Sequence, residues 1–241
     1  MENLSVLNLQ SRRTWDPDVM LQLLSPDRMS RYLESCDNDL EAAFSLYSDN
    51  ADIATSLLLI TGMVEVIFRN SIDQSLVEWA DRKGLGMEWF DVELLNTRAK
   101  ADIRRARKRL QNRGKPEVHS RIVAELPFGF WRYLTAKRYL TELWIPAIHH
   151  AFPHGNPNIR VRRAEVSALL GNLNVARNRA AHLEPVYERD LHQDYEDAHT
   201  LLGWISPEAA KWFCDSYLAH EHAHHRAGQG FTTQSILDGD Q

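Results

Sequence analysis

Arg177, Asn178, Arg179 and His182 fall within six positions of one segment, NVARNRAAHLEPV (174–186), which runs into Pro185. If that segment is helical, residues four apart share a face, so Asn178 and His182 point the same way. Arg177 is one step round, and its long side chain reaches the same spot. The set suits cleavage of RNA, which carries its own nucleophile in the 2′-hydroxyl. An imidazole takes and gives protons near neutral pH. A guanidinium binds a phosphate through paired hydrogen bonds and stabilises the charge that builds on it. An amide orients either group. This chemistry needs neither a metal nor a cofactor. Spacing alone favours an ordinary last helical turn bearing solvated arginines, because Arg-x4-His recurs often by chance.

The elements that must hold this segment are helical by pattern. Apolar residues recur at helical spacing from about 38 to 82, including Leu57, Leu58, Met63, Val64, Ile67, Phe68, Ile72, Leu76 and Trp79. Ser48-Asp49-Asn50 is a candidate break, and Gly84 and Gly86 are stop signals. A strongly basic helix is expected over 92–112, shorter ones over 117–125 and 129–150, and a loop at PHGNPN (153–158). The candidate helix then runs from about 160 and must stop near Glu184, because proline disfavours helix in the residue before it. Two more follow, over roughly 188–203 and 206–221. No alternating strand pattern and no linker stands out. The expected organisation is a single all-α domain over 1–222, with its core at 38–205, and a polar tail at 223–241.

Composition narrows the function classes. The chain has 241 residues and a net charge of −5, so any nucleic-acid surface must be a local patch. Its two cysteines, Cys36 and Cys214, are far apart and form no paired pattern, which fits a reducing compartment. The first residues lack a basic stretch followed by an apolar core, and the most apolar run, SLLLITGMVEVIF (56–68), is short for a membrane span and contains Glu65. A cytoplasmic protein with no membrane partner is expected.

Three stretches resemble the Abi-type proteins of bacterial abortive infection, a branch of the HEPN superfamily. ARNRAAHLEPV (176–186) resembles the Arg-x4-6-His motif, with Arg177, Asn178 and His182 at the motif positions. AELPFGFWRYL (124–134) is similar to the family's Leu-x-Phe-Gly-x-Trp segment. LYSDNADIATSLLLITGMVEVIFRNSI (46–72) resembles its long helix ending in Glu-x3-Arg-Asn, here Glu65, Arg69 and Asn70. The matches span about residues 40–187 in the family's order. The resemblance implies a HEPN-like helical bundle with additional helices and no significant sheet. It also implies a homodimer and a metal-independent endoribonuclease of the toxin or antiviral-defence kind, with an antitoxin or regulatory RNA as a possible partner. A catalytically silent RNA-binding module of the same fold is the alternative. Residues 1–37 and the C-terminal tail have no counterpart in the pattern. Some HEPN toxins carry a modifiable Tyr two residues after the His, where this chain has Glu184.

Glu65 and Arg69, four apart, form either an intrahelical ion pair or a buttress for Arg177 and His182. The run RAKADIRRARKRLQNRGK (98–115) has nine basic residues against one acid, Asp102. It is either a solvated face or a phosphate-binding one, with Arg104, Arg105, Lys108 and Arg109 as the RNA contacts and Arg160, Arg162 and Arg163 as an extension. Phe128 and Trp131 fit the core better than base stacking. His220-Glu221-His222-Ala223-His224 matches the zinc-protease helix motif. That site needs a third ligand, and among the 17 residues after His224 only the adjacent His225 is a histidine. The tract is expected to bind zinc or nickel only adventitiously.

Overall fold

The computed structural model describes residues 14–85 and 88–226, with side chains placed through residue 218. It is all-α, with no strand among the described residues. Nine α-helices appear among them: α1 (Pro17–Leu24), α2 (Pro26–Ser35), α3 (Leu40–Arg82), α4 (Thr97–Asn112), α5 (His119–Glu125), α6 (Phe128–Leu134), α7 (Ile159–Ala181), α8 (Leu191–Ile205) and α9 (Pro207–Arg226). Short 3-10 and π turns fill 137–151 between α6 and α7, where the sequence suggested continued helix.

The chain divides into two compact units, one ending at Ala51 and one starting at Asp52. The sequence suggested a helix break at Ser48-Asp49-Asn50 but no domain boundary; the division falls beside these residues, within α3. Ser48-Asp49-Asn50 does not break that helix. The Ser48 hydroxyl donates to the Phe44 carbonyl at 3.1 Å, a bond compatible with continued helix. In the first unit, α1 and α2 each begin with proline behind a side-chain cap, Asp16 for α1 and Ser25 for α2.

In the second unit the core is built on one face of α3. Ile60, Val64, Phe68, Ile72 and Leu76 recur at intervals of four and are buried. Phe128, Phe130, Trp131 and Leu134 of α6 join them, with Leu170 and Leu173 of α7 and Leu201 and Leu202 of α8. Each such side chain contributes about 1.5–3 kcal/mol by leaving water. Trp131 and Phe128 are 0% and 2% exposed, so they are core residues and not base-stacking platforms. α3 is long and apolar enough to meet the length and composition test for a membrane span, with a mean hydropathy of 1.8. In its most apolar window 39% of the residues are buried, and Leu58 and Val66 of the same helix are exposed.

α4 shows how the basic segment stays helical. Ala99, Ile103, Ala106 and Leu110 form its buried stripe. The Asn96 side chain caps it through the Ala99 N–H and is held in turn by the Tyr133 and Tyr139 hydroxyls. α3 and α4 close alike. Gly84 and Gly114 take φ +61, and the next residue donates back to Ala80 and Leu110 respectively.

Candidate active site

α7 starts at Asn158, whose side chain accepts from the Arg160 and Val161 N–H groups. Its buried face carries Val166, Leu170, Leu173, Ala176 and Ala180. Ala176 and Ala180 pack with Ile53, Ala54, Leu57 and Val186 in a small second cluster, which seats the end of α7 against α3. Arg177 sits at the edge of this face and is half-buried, whereas Asn178 and His182 are exposed.

The helix ends one turn earlier than Pro185 requires. Ala181 is its last residue and His182 is the C-cap, whose N–H donates to the Asn178 carbonyl at 3.2 Å. The Leu183 N–H then bonds to Ala180, and the Glu184 N–H bonds to Arg179 at 2.9 Å. This is the closure that α3 and α4 make with glycine, yet here the left-handed position is Leu183, at φ 49. A Cβ in that region costs about 1–2 kcal/mol. The residue next to the candidate imidazole therefore holds a strained conformation, as functional turns often do.

Arg179 fixes the same turn from outside. Its Nη2 donates to the Pro185 carbonyl at 2.6 Å, and its Nε lies 3.6 Å from Glu184. It positions the backbone after His182. Arg177 contrasts with it: among the described residues its side chain makes no hydrogen bond or ion pair. What faces it is Glu65 of α3. Burial pushes the Glu65 carboxyl above the usual range, and the charges of Arg177 and Arg69 pull it part of the way back. No direct ion pair joins Glu65 to either guanidinium among the described residues. The i,i+4 pair with Arg69 is not formed; the Arg69 Nε donates to Asn70 Oδ1 at 3.4 Å instead. Asn70 is exposed and lies roughly 140° round α3 from Glu65. Glu65 and Arg69 thus belong electrostatically with Arg177, and Asn70 does not face them.

A raised carboxyl pKa means that ionised Glu65 destabilises the fold: its contribution is fully present below the unfolded value and is lost as pH rises through the folded one. Glu65→Gln is therefore expected to melt no lower than wild type near neutral pH, while RNA-cleaving activity falls. A lower melting temperature with intact activity would mark Glu65 as structural.

Four of the nine basic residues of 98–115 pair with the protein's own acids. Arg105 pairs with Asp102, Arg107 with Asp91 at 2.8 Å, and Arg109 and Arg113 with Glu125 at 2.8 and 2.6 Å. Arg98 lies over the Tyr133 ring at 4.9 Å. Arg104 and Lys108 are exposed, four apart, and form no ion pair among the described residues. The expected extension fails in part. Arg162 is buried and donates to the Asn156 and His149 carbonyls at 2.6 and 3.2 Å, and Arg163 donates to Thr135 at 3.0 Å. Both hold loops. Arg160 is exposed.

Two polar clusters have no signal in local sequence. Arg189, in the loop after His182, grips Asp194 with Nε at 2.9 Å and Nη2 at 2.5 Å, and reaches Asn172 of α7 at 3.3 Å. Asn172 donates to Asp197 at 2.6 Å. This network ties α7, the loop and α8 together. The other cluster is His119, whose ring nitrogens lie 2.6 Å from Glu88 and 2.9 Å from Asp73. Burial works against its proton, but the two carboxylates outweigh burial and hold His119 above the usual range. That stabilisation is present below the ordinary imidazole pKa and is lost as pH rises through the raised one. His119→Ala is expected to lose about 1–2 kcal/mol near pH 6 and little near pH 9. A deficit that does not change with pH would show that the ring acts by packing alone.

Among the described residues no group of His, Cys, Asp or Glu is arranged to hold a metal ion. The side chains of the HExxH tract lie outside the described residues; its backbone belongs to α9, which runs to Arg226. No family model, curated protein or solved structure matches the chain.

Proposed function

We propose that the protein is an endoribonuclease of the HEPN, abortive-infection kind, acting in the cytoplasm without a metal. The observation that carries the reading is Arg177: a half-buried guanidinium, unengaged by hydrogen bonds among the described residues, backed by Glu65 and one helical step from exposed Asn178. Arg177 binds the scissile phosphate and stabilises its added charge. His182 moves protons, and Asn178 orients the ribose or the phosphate. The base removes the proton of the 2′-hydroxyl, O2′ bonds to phosphorus, and the bond from phosphorus to O5′ breaks. A second proton goes to O5′. The products are a 2′,3′-cyclic phosphate and a 5′-hydroxyl.

Each chain offers one such imidazole, and the step needs both a base and an acid. A two-fold dimer with the ends of α7 facing each other supplies two. Exposed Val175, two turns before His182 on the same side, and exposed Leu183 beside it give that end of α7 an apolar rim suited to a second copy. An oligonucleotide with a single ribose in an otherwise deoxy chain tests the reading: cleavage is expected only 3′ of the ribose. Cutting of the all-deoxy oligonucleotide would contradict it.

Arg104 and Lys108 are expected to contact further substrate phosphates. Arg104→Gln with Lys108→Gln should lower the dependence of log affinity on log salt by about 1 per residue and leave the fold intact. An unchanged slope would remove α4 from the RNA surface.

A further inference from the structure

We infer that Arg132 binds a second RNA phosphate, flanking the one held at Arg177, so that substrate lies along the exposed edge of α7. The inference rests on the ribonuclease reading.

α6 packs over α7: the Cβ position of Gly129 lies 3.7 Å from Asn174 Oδ1 and that of Gly171 lies 3.9 Å from Arg132 Nε, both ordinary van der Waals distances. Phe128 of α6 packs on Phe68 of α3, with ring centroids 4.9 Å apart. Arg132 Nε therefore lies beside Gly171 of α7. Gly171 and Asn178 are seven residues apart, about two turns, and share a face, with Asn174 between them. The axial separation is about 10 Å.

The polar groups along this line lack partners among the described residues. The Arg132 Nε is buried and makes no hydrogen bond. Neither the Arg132 nor the Asn174 side chain makes a hydrogen bond or ion pair among the described residues. A guanidinium held with a buried, unsatisfied N–H is a costly arrangement unless something anionic completes it. Arg163, about 80° round α7 from Gly171, is committed to the Thr135 carbonyl. The sequence Arg177–Asn178, Asn174, Arg132 thus offers cation, amides and cation in the order that a phosphate–ribose–phosphate backbone presents its groups.

The test compares a dinucleoside monophosphate, which has only the scissile phosphate, with an RNA oligonucleotide. For Arg132→Gln, kcat/KM on the oligonucleotide is expected to fall about tenfold or more, chiefly through KM, the worth of one charge-assisted contact. Cleavage of the dinucleotide should be unchanged, and Arg132→Lys should recover part of the loss. Equal losses on both substrates would assign Arg132 a structural role and overturn the inference, as would no loss on either. A wild type that cuts neither substrate would sink the ribonuclease reading instead. Arg132 is then decided by oligonucleotide affinity, where equal binding by wild type and Arg132→Gln overturns it.

Discussion

His182→Ala is expected to lose RNA cleavage by about 10²–10⁴-fold, the usual contribution of a positioned general acid or base. The residue caps α7 through its backbone N–H, which the substitution keeps, so the helix closure is expected to stand. Arg177→Ala should show a similar loss, because the guanidinium supplies the phosphate contact; among the described residues it has no hydrogen bond or ion pair to give up. The dimer sharpens the expectation. When wild-type chains exchange with an excess of His182→Ala chains, activity should fall with the square of the wild-type fraction if each cleavage needs both imidazoles. A linear fall would show that each chain works alone.

Arg189→Met is expected to destabilise the fold by about 3–5 kcal/mol, the penalty for leaving a buried charge without its partner. Asp194 is 0% exposed. Burial pushes its carboxyl up, and Arg189 draws it part of the way back. Without Arg189 the carboxylate must either stay buried and uncompensated or take up a proton. Asn172 also loses its Arg189 contact, so the grip on the turn after His182 loosens and activity should fall with stability. Combining Arg189→Met with Asp194→Leu should restore much of the stability, since two apolar side chains of similar volume replace the pair. Denaturant titration of the single and double variants reads this directly. A single variant within about 0.5 kcal/mol of wild type, the range of ordinary surface substitutions, would mean that the network contributes little.

The helices were legible where hydrophobic spacing and caps agree. The glycine stop after Arg82, the loop at 153–158 and the start of α7 near residue 160 were read from local signals. The Arg177, Asn178 and His182 spacing was legible as well, and so was a link from Glu65 to Arg177, though not its form as attraction without a direct pair. Long-range partners were not. The charge run on α4 reads as a binding face until its acids arrive from 91, 117 and 125. His119 meets Asp73 and Glu88 from 46 and 31 positions away, and no local pattern announces that. Leu183 at a left-handed position runs against propensity, so sequence rules place the helix end at the proline instead.

The central claim is that the substrate's own 2′-hydroxyl attacks, with His182 moving the protons. The measurement that tests it most directly is the chemical identity of the RNA ends produced in excess chelator. The account predicts a 2′,3′-cyclic phosphate on one fragment and a 5′-hydroxyl on the other, both absent with His182→Ala. Ends bearing a 3′-hydroxyl and a 5′-phosphate, or no cutting until magnesium is restored, would contradict it.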